Sequence, residues 1–161
     1  MARESKRVTL GGSQYIITQL GAVAGRGLFK KFVTAMGPLL RDAFSGPLLG
    51  EIKKEVAGLS EQSSTEDAIL TMAPIVGPLL VRAVEDLPQS LFEEMCEAFS
   101  ESCMVMAGSP ATPQPLSNMF DDHFAGDYLA MSGWFVRCLM VNGFLAKLGA
   151  TAKAPVASTT P

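Results

Sequence analysis

The strongest constraint on this chain lies near its start, where the spacing of apolar residues changes from that of a strand to that of a helix. In residues 7–18, RVTLGGSQYIIT, Val8 and Leu10 alternate with Thr9 before Gly11 and Gly12, and Tyr15 and Ile17 occupy alternate positions after them. Two glycines favour a two-residue turn because both positions can adopt a positive φ. We therefore predict a β-hairpin at about 7–18. An isolated hairpin is marginal in water, so it must pack against helices or another chain.

From Leu20 onward, apolar residues recur at helical spacing. Pro38 falls inside the first such stretch and is expected to kink or interrupt that helix, because proline removes a backbone donor. Residues 58–67 read as a polar link, and prolines divide 68–84 into two short segments. A further helix is predicted over 86–106. Its apolar stripe consists of Leu91, Phe92, Met95, Cys96, Phe99, Cys103 and Met106.

The last part of the chain is predicted as a loop, a helix and a tail. Three prolines in residues 108–117 indicate the loop, and the final helix is expected from about Asp127 to Leu148. The segment 150–161 has few bulky apolar groups and is expected to be flexible. The whole pattern predicts a mainly α fold, in which an N-terminal β-hairpin precedes a bundle of about five short amphipathic helices. These elements form a single domain over 1–149.

Charge and cysteine content exclude several classes of protein. The net charge of −3 does not favour nucleic acid as a partner, and three cysteines without a CxxC pair indicate reduced thiols. The start of the chain lacks the apolar run of a signal peptide.

Residues 128–146 are long enough to cross a bilayer, but Arg137 lies at their centre, where it would cost about 3 kcal/mol. We therefore predict a cytosolic protein with no membrane span.

The segment FDDHFAGDY, residues 120–128, contains the only histidine and raises the question of a metal or acid–base site. Consecutive side chains in a helical turn diverge by about 100°, so Asp121, Asp122 and His123 cannot converge on one ion. His123 and Asp127 can face each other at a spacing of four residues. The structural interpretation assigns the aspartates to helix N-termini, with Asp127 capping the next helix.

No other pattern predicts a catalytic, cofactor or metal site. GAVAGRG, residues 21–27, is rich in glycine but is not followed by the Lys-Ser/Thr pair of a phosphate loop. We therefore predict no enzyme activity, no cofactor and no metal.

Nine phenylalanines and nine methionines exceed the obvious needs of one small core. Methionine adapts its shape and is common on surfaces that accept several partners. This surplus favours a binding or assembly protein over an enzyme. Large helical side chains more often form the core than an interface; those proposed for partner binding are Phe29, Phe32, Met36, Trp134 and Phe135.

Two segments resemble the tail assembly chaperones of long-tailed bacteriophages. The first is the hairpin and its exit into a helix, at about 8–40. The second contains Phe120, His123-Phe124 and Gly126, and ends in Val141-Asn142 with Phe144. Residues 45–115 match only in being helical, and the proline-rich loop departs from the family pattern.

The resemblance implies a non-enzymatic protein of the infected host cytoplasm that shields the tape-measure protein and helps to recruit tail-tube subunits. It allows homo-oligomers and implies neither nucleic acid nor membrane as partner. A structural tail or baseplate component is the first alternative, located in the virion tail and using the hairpin to add a strand to a neighbouring sheet. A small metal- or carboxylate-dependent hydrolase using His123 and Asp127 is the second.

Overall fold

The computed structural model describes residues 3–44, 84–107, 109–145 and 147. They fall into two compact units, of which the first comprises the residues up to Phe29 and those from Glu94 onward. The second unit comprises Lys30–Glu93. The polar link at 58–67, most of the predicted segments at 68–84 and the predicted tail lie outside the described residues.

A four-stranded antiparallel sheet with strand order β1-β2-β3-β4 is the main feature of the first unit. Its strands are β1 (Ser5–Leu10), β2 (Ser13–Thr18), β3 (Cys103–Ala107) and β4 (Thr112–Pro115). The predicted hairpin is confirmed as β1 and β2, and Leu10 pairs with Ser13 at its end. The turn between them has φ values of 56° at Gly11 and 83° at Gly12, which residues with a Cβ rarely adopt.

Four α-helices accompany the sheet in the described ranges: α1 (Ala22–Phe44), α2 (Gln89–Glu101), α3 (Phe120–Phe124) and α4 (Tyr128–Val141). Pro38 lies inside α1, which continues to Phe44, so the proline does not interrupt the helix. The final helix is shorter than predicted, because α4 ends at Val141 and Gly143 follows with φ of 68°. Among these helices, none has the length and apolar character needed to span a bilayer.

The predicted fold class was wrong. The molecule is not a hairpin with a bundle of about five helices, because β3 and β4 extend the hairpin to a four-stranded sheet. The segments that form these strands were predicted as the end of a helix and as a loop.

The end of α2 explains the first of these errors. Cys103 and Met106 continue the helical spacing of the preceding stripe, but Cys103-Met104-Val105-Met106 is also a short continuous apolar run that a strand can form. The Ser102 N–H bonds the Phe99 carbonyl at 3.2 Å, and the Ser102 hydroxyl donates to the same oxygen. Serine side chains that bond the local backbone compete with helix continuation, and pairing with β2 then favours the strand.

The prolines that predicted a loop are accommodated at the edge of the sheet. Pro113 pairs with Met106 and Pro115 pairs with Met104 in β4, which has no described strand beyond it. Proline is tolerated in edge strands, where a missing donor can face away from the ladder.

The two faces of the sheet differ in burial. The inner face carries Tyr15, Ile17, Cys103 and Val105, whose side chains are at most 2% exposed. α4 packs on this face, and the Trp134 Nε1–H donates to the Cys103 sulfur at 3.5 Å. Because side chains alternate along strands, the residues between them point to the opposite, outer face.

Behind α4, aromatic rings complete the core of the first unit. Phe99 of α2 packs edge-on against Phe135, with ring centroids 5.6 Å apart, and lies 6.0 Å from Phe144. Phe29 of α1 also packs on Phe144. α4 is therefore apolar on two sides, which explains why its sequence resembled a membrane span.

Candidate functional site

The FDDHFAGDY segment forms a short helix, a bend and the entry to α4. Gly126 has φ of 77°, which a glycine adopts without strain, and the bend separates His123 from Asp127. Asp127 caps α4, since its Oδ1 accepts the Ala130 N–H at 2.9 Å. That predicted cap is confirmed. His123 and Asp127 do not share one helical face, because α3 ends at Phe124.

His123 bonds Tyr15 instead. The Tyr15 hydroxyl oxygen lies 2.6 Å from Nε2 of His123, and the two rings meet edge-on. Burial raises the pKa of Tyr15 and lowers the pKa of His123, so both groups are neutral near pH 7. We assign the hydroxyl as donor, because a phenol O–H is a stronger acid than a neutral imidazole N–H.

The Tyr15–His123 pair is set in an aromatic cluster. Phe124 stacks on the Tyr15 ring with an angle of 9° between planes. Trp134 and Phe120 both contact Phe124. The lone pair of Nε2 is occupied and the phenol holds its proton, so this arrangement suits a structural joint between β2 and α3 better than a nucleophile or base.

A second joint connects the exit of the hairpin with the end of α4. The Asn142 Oδ1 accepts the Leu20 N–H at 2.8 Å, while its Nδ2 donates to the Cys138 carbonyl at 2.9 Å. Gln19 donates from Nε2 to the Val141 carbonyl at 3.1 Å. These bonds satisfy backbone groups at a helix C-terminus, which otherwise lack partners.

Beside this joint lies a cleft of about 290 Å³ at the start of α1. Phe29 and Phe144 line it, with Arg26 and Lys147 also contributing to its walls. The Lys147 Nζ lies 5.8 Å from the centre of the Phe29 ring. The GAVAGRG glycines do not form a phosphate loop here, because residues from Ala22 onward are already helical.

The five residues predicted for partner binding differ in accessibility. Four are at most 2% exposed: Phe32, Met36, Trp134 and Phe135. Phe29 is half-buried and lines the cleft. A partner could reach the other four only if the fold opened.

The cysteines offer no exposed thiol. Cys96, Cys103 and Cys138 are free and buried. Burial raises the pKa of Cys103 to about 11 and that of Cys138 well above its ordinary value. Across the described part of the chain, no group of three or more His, Cys, Asp or Glu residues could hold a metal ion.

Sequence reasoning missed Tyr15 and Asn142 as structural partners. Tyr15 occupies an inner-face position of a strand, and a buried tyrosine hydroxyl requires a hydrogen-bond partner. That requirement was the available signal, but it does not identify His123, which lies 108 residues away. No protein-family model, curated protein or solved structure matches this chain.

Proposed function

We propose that this chain is a non-catalytic tail assembly chaperone of a long-tailed bacteriophage that binds and shields the tape-measure protein. The observation that carries the proposal is the position of the residues on which the resemblance rests. Those at 8–29 and 120–144 lie in the first unit and make the contacts that connect its two sequence-distant parts.

Each part of the C-terminal motif has a structural task in these contacts. His123 bonds Tyr15, and Phe124 stacks on the same tyrosine. The backbone of Val141 and the side chain of Asn142 bond the hairpin exit. Phe144 packs on Phe29. A motif of this kind specifies a fold, which supports kinship with a non-enzymatic family more than it supports a hydrolase.

The outer face of the sheet carries a contiguous set of apolar side chains. By the strand register, Ile16 neighbours Met104, Met104 neighbours Pro115, and Met106 neighbours Pro113. Ile16, Met104 and Met106 are half-buried, and Pro113 and Pro115 are exposed. We name these residues the outer apolar patch: Ile16, Met104, Met106, Pro113 and Pro115. Apolar patches with adaptable methionines suit a helical partner, so we assign this patch to the tape-measure protein.

Co-expression with the tape-measure protein of the same phage tests the proposal. We expect the chain to raise the soluble fraction of the tape-measure protein and to elute with it in gel filtration. If the tape-measure protein precipitates to the same extent with and without this chain, the proposal fails.

A pair of variants tests the assigned surface. Met104→Gln with Met106→Gln keeps side-chain length but removes apolar character from the outer apolar patch. We expect this double variant to lose most of the solubilising effect. The matched control is Leu129→Gln, which changes a 76% exposed leucine on α4 and should keep it. Equal activity of both variants would contradict the surface assignment.

Two further measurements separate the alternatives. Mass spectrometry of purified particles would detect a tail or baseplate component, whereas a chaperone should be absent. His123→Ala would abolish a hydrolase based on this residue, but should leave tape-measure binding nearly unchanged if the variant remains folded.

A further inference from the structure

The two edges of the sheet expose different backbone groups. In an antiparallel pair, opposed residues alternate between those that exchange backbone hydrogen bonds and those whose backbone groups point away. The Gln19 N–H bonds the Glu4 carbonyl at 2.9 Å, which makes this a bonded pair just before β1. Counting along the register, Lys6, Val8 and Leu10 bond β2. The backbone groups of Ser5, Arg7 and Thr9 therefore point outward from the sheet.

The same counting across the sheet shows that the β4 edge lacks donors. Thr18 N–H bonds the Ser102 carbonyl at 3.0 Å, which sets the alternation between β2 and β3. Val105 and Ala107 then direct their backbone groups toward β4. The residues of β4 that point away from β3 are Pro113 and Pro115. Neither has an N–H, so this edge presents a poor template for another strand.

The β1 edge keeps its backbone donors. Ser5, Arg7 and Thr9 are exposed, and together they present three N–H donors and three carbonyl acceptors. The strand is regular over six residues and contains no proline. No described element pairs with this edge, since β1 stands at the end of the strand order. An edge of this kind accepts an added strand through main-chain hydrogen bonds.

The charge of this edge indicates what binds there. Residues 3–10 contain three cations and one carboxylate: Arg3, Lys6, Arg7 and Glu4. This edge is therefore basic, although the chain as a whole is acidic. The Glu4 carboxylate lies 3.8 Å from the Lys6 ammonium, so residues 3–10 keep an excess positive charge, carried by Arg3 and Arg7. A strand carrying carboxylates opposite Arg7 would complement this charge.

We propose that the outer edge of β1 binds an extended acidic segment of a second protein as a fifth strand of the sheet. Residues of that segment opposite Ser5, Arg7 and Thr9 share the outer face, where carboxylates meet Arg7. The intervening residues extend the inner face, to which β1 contributes Lys6, Val8 and Leu10. All three are half-buried, and Val8 and Leu10 favour apolar neighbours. The segment therefore alternates acidic and apolar side chains.

A second copy of the chain fits this edge less well. When two β1 strands pair about a twofold axis, only outward-pointing residues can exchange bonds. The central register places Arg7 opposite Arg7, and the neighbouring registers still bring both basic strands together. Like charges on adjacent strands are unfavourable.

The probe for this site is a synthetic nine-residue peptide in which valine alternates with glutamate. We expect it to slow hydrogen exchange at the amides of Ser5, Arg7 and Thr9, as followed by NMR on the full chain. Binding should weaken as salt is added. A peptide with lysine in place of glutamate is the matched control, and it should bind at least about tenfold more weakly.

Two variants locate the site. Thr9→Pro removes one outward N–H without removing a bond to β2, and should weaken the acidic peptide about fivefold. Arg7→Glu reverses the charge and should weaken it further, while Arg26→Glu, the same change at an exposed position on α1, should have little effect. If Thr9→Pro fails to fold, Arg7→Glu and its control still decide the question.

Three results would overturn the proposal. The first is equal binding of acidic and basic peptides. The second is protection elsewhere in the chain with no change at the three outward amides. The third is concentration-dependent dimerisation that itself protects those amides, because this would make a second copy the occupant. The test is independent of the tape-measure experiment, since it uses neither that protein nor the outer apolar patch.

Discussion

At the scale of single residues, His123 and Asp127 were candidates for a metal or acid–base site. Their hydrogen bonds give both of them structural roles instead. The lone imidazole of His123 accepts from Tyr15, and the nearby Asp127 caps a helix. Of these roles, only the cap could be predicted from sequence, because capping is local and depends on residues three positions apart. The tyrosine–histidine bond depends on tertiary structure and has no local signature.

Replacing Tyr15 with phenylalanine should destabilise the fold by about 1–2 kcal/mol, because Nε2 of His123 loses its buried partner. Urea denaturation followed by circular dichroism measures this change. The control is Tyr128→Phe, which removes a hydroxyl from a side chain that is 72% exposed and should change stability by less than about 0.5 kcal/mol. An equal loss of stability in the two variants would show that the Tyr15–His123 hydrogen bond does not stabilise the fold.

Acid should weaken the fold through His123. Burial lowers the pKa of His123 in the folded chain, whereas the unfolded chain keeps the ordinary value of 6.5. Below pH 6.5 the unfolded state binds a proton that the folded state resists, so the free energy of unfolding falls as pH falls toward the folded pKa. Because the chain has one histidine, a single NMR titration curve reports its pKa directly. A midpoint above 6.5 would contradict this expectation.

The thiols should be inert in the native protein. All three are buried, and a protonated buried thiol is a poor nucleophile. We expect Ellman's reagent to label them slowly in native conditions and to label all three rapidly in guanidinium. Rapid labelling of one thiol in the folded protein would show that the core around it opens.

At the scale of elements, local patterns predicted the hairpin but not the strands that complete its sheet. Residues 7–18 contain their own turn and their own partner strand, so nothing distant was needed. β3 finds its partner in β2, across more than eighty residues of chain. The apolar run of β3 could not be distinguished from the end of a helical stripe until that partner was known. β4 was not predicted, because prolines indicate a loop unless the segment is known to lie at the edge of a sheet.

Replacing glycine with alanine should have opposite effects on stability in the hairpin turn and in α1. Gly12→Ala should cost about 1–2 kcal/mol, because φ of 83° is unfavourable for a residue with a Cβ. Gly27→Ala, inside α1, should instead stabilise by about 0.5–1 kcal/mol. Neither added Cβ would meet another atom within 4 Å, so thermal unfolding of the two variants compares backbone effects alone. Destabilisation by both would point to helix packing at Gly27 that the structure does not show.

At the scale of the whole molecule, the first unit is assembled from the two ends of the sequence. Joints between β2 and α3, and between Leu20 and Asn142, close it. The predicted single domain over 1–149 is not tested by these contacts, but they do require both ends. The apolar surplus read from composition is partly consumed by this core, in which Trp134 and Phe135 are fully buried.

Truncation tests this dependence. A fragment of residues 1–119 lacks α3 and α4 and should be unfolded or aggregated, because the inner face of its sheet is exposed to water. A chain ending at 149 is the control and should retain the native circular dichroism and cooperative unfolding. A stable, cooperatively folded 1–119 fragment would contradict the two-ended assembly.

Arg3 and Lys147, near the two ends of the described residues, both lie beside the cleft at the start of α1. The guanidinium of Arg3 lies about 3.2 Å from where a Cβ on Gly21 would stand, and Lys147 lies over Phe29, eight residues further along. The Gly11-Gly12 turn lies at the opposite end of six-residue strands, about 20 Å away. A fluorophore attached at position 3 or 147 would therefore sit near this cleft, far from the hairpin tip.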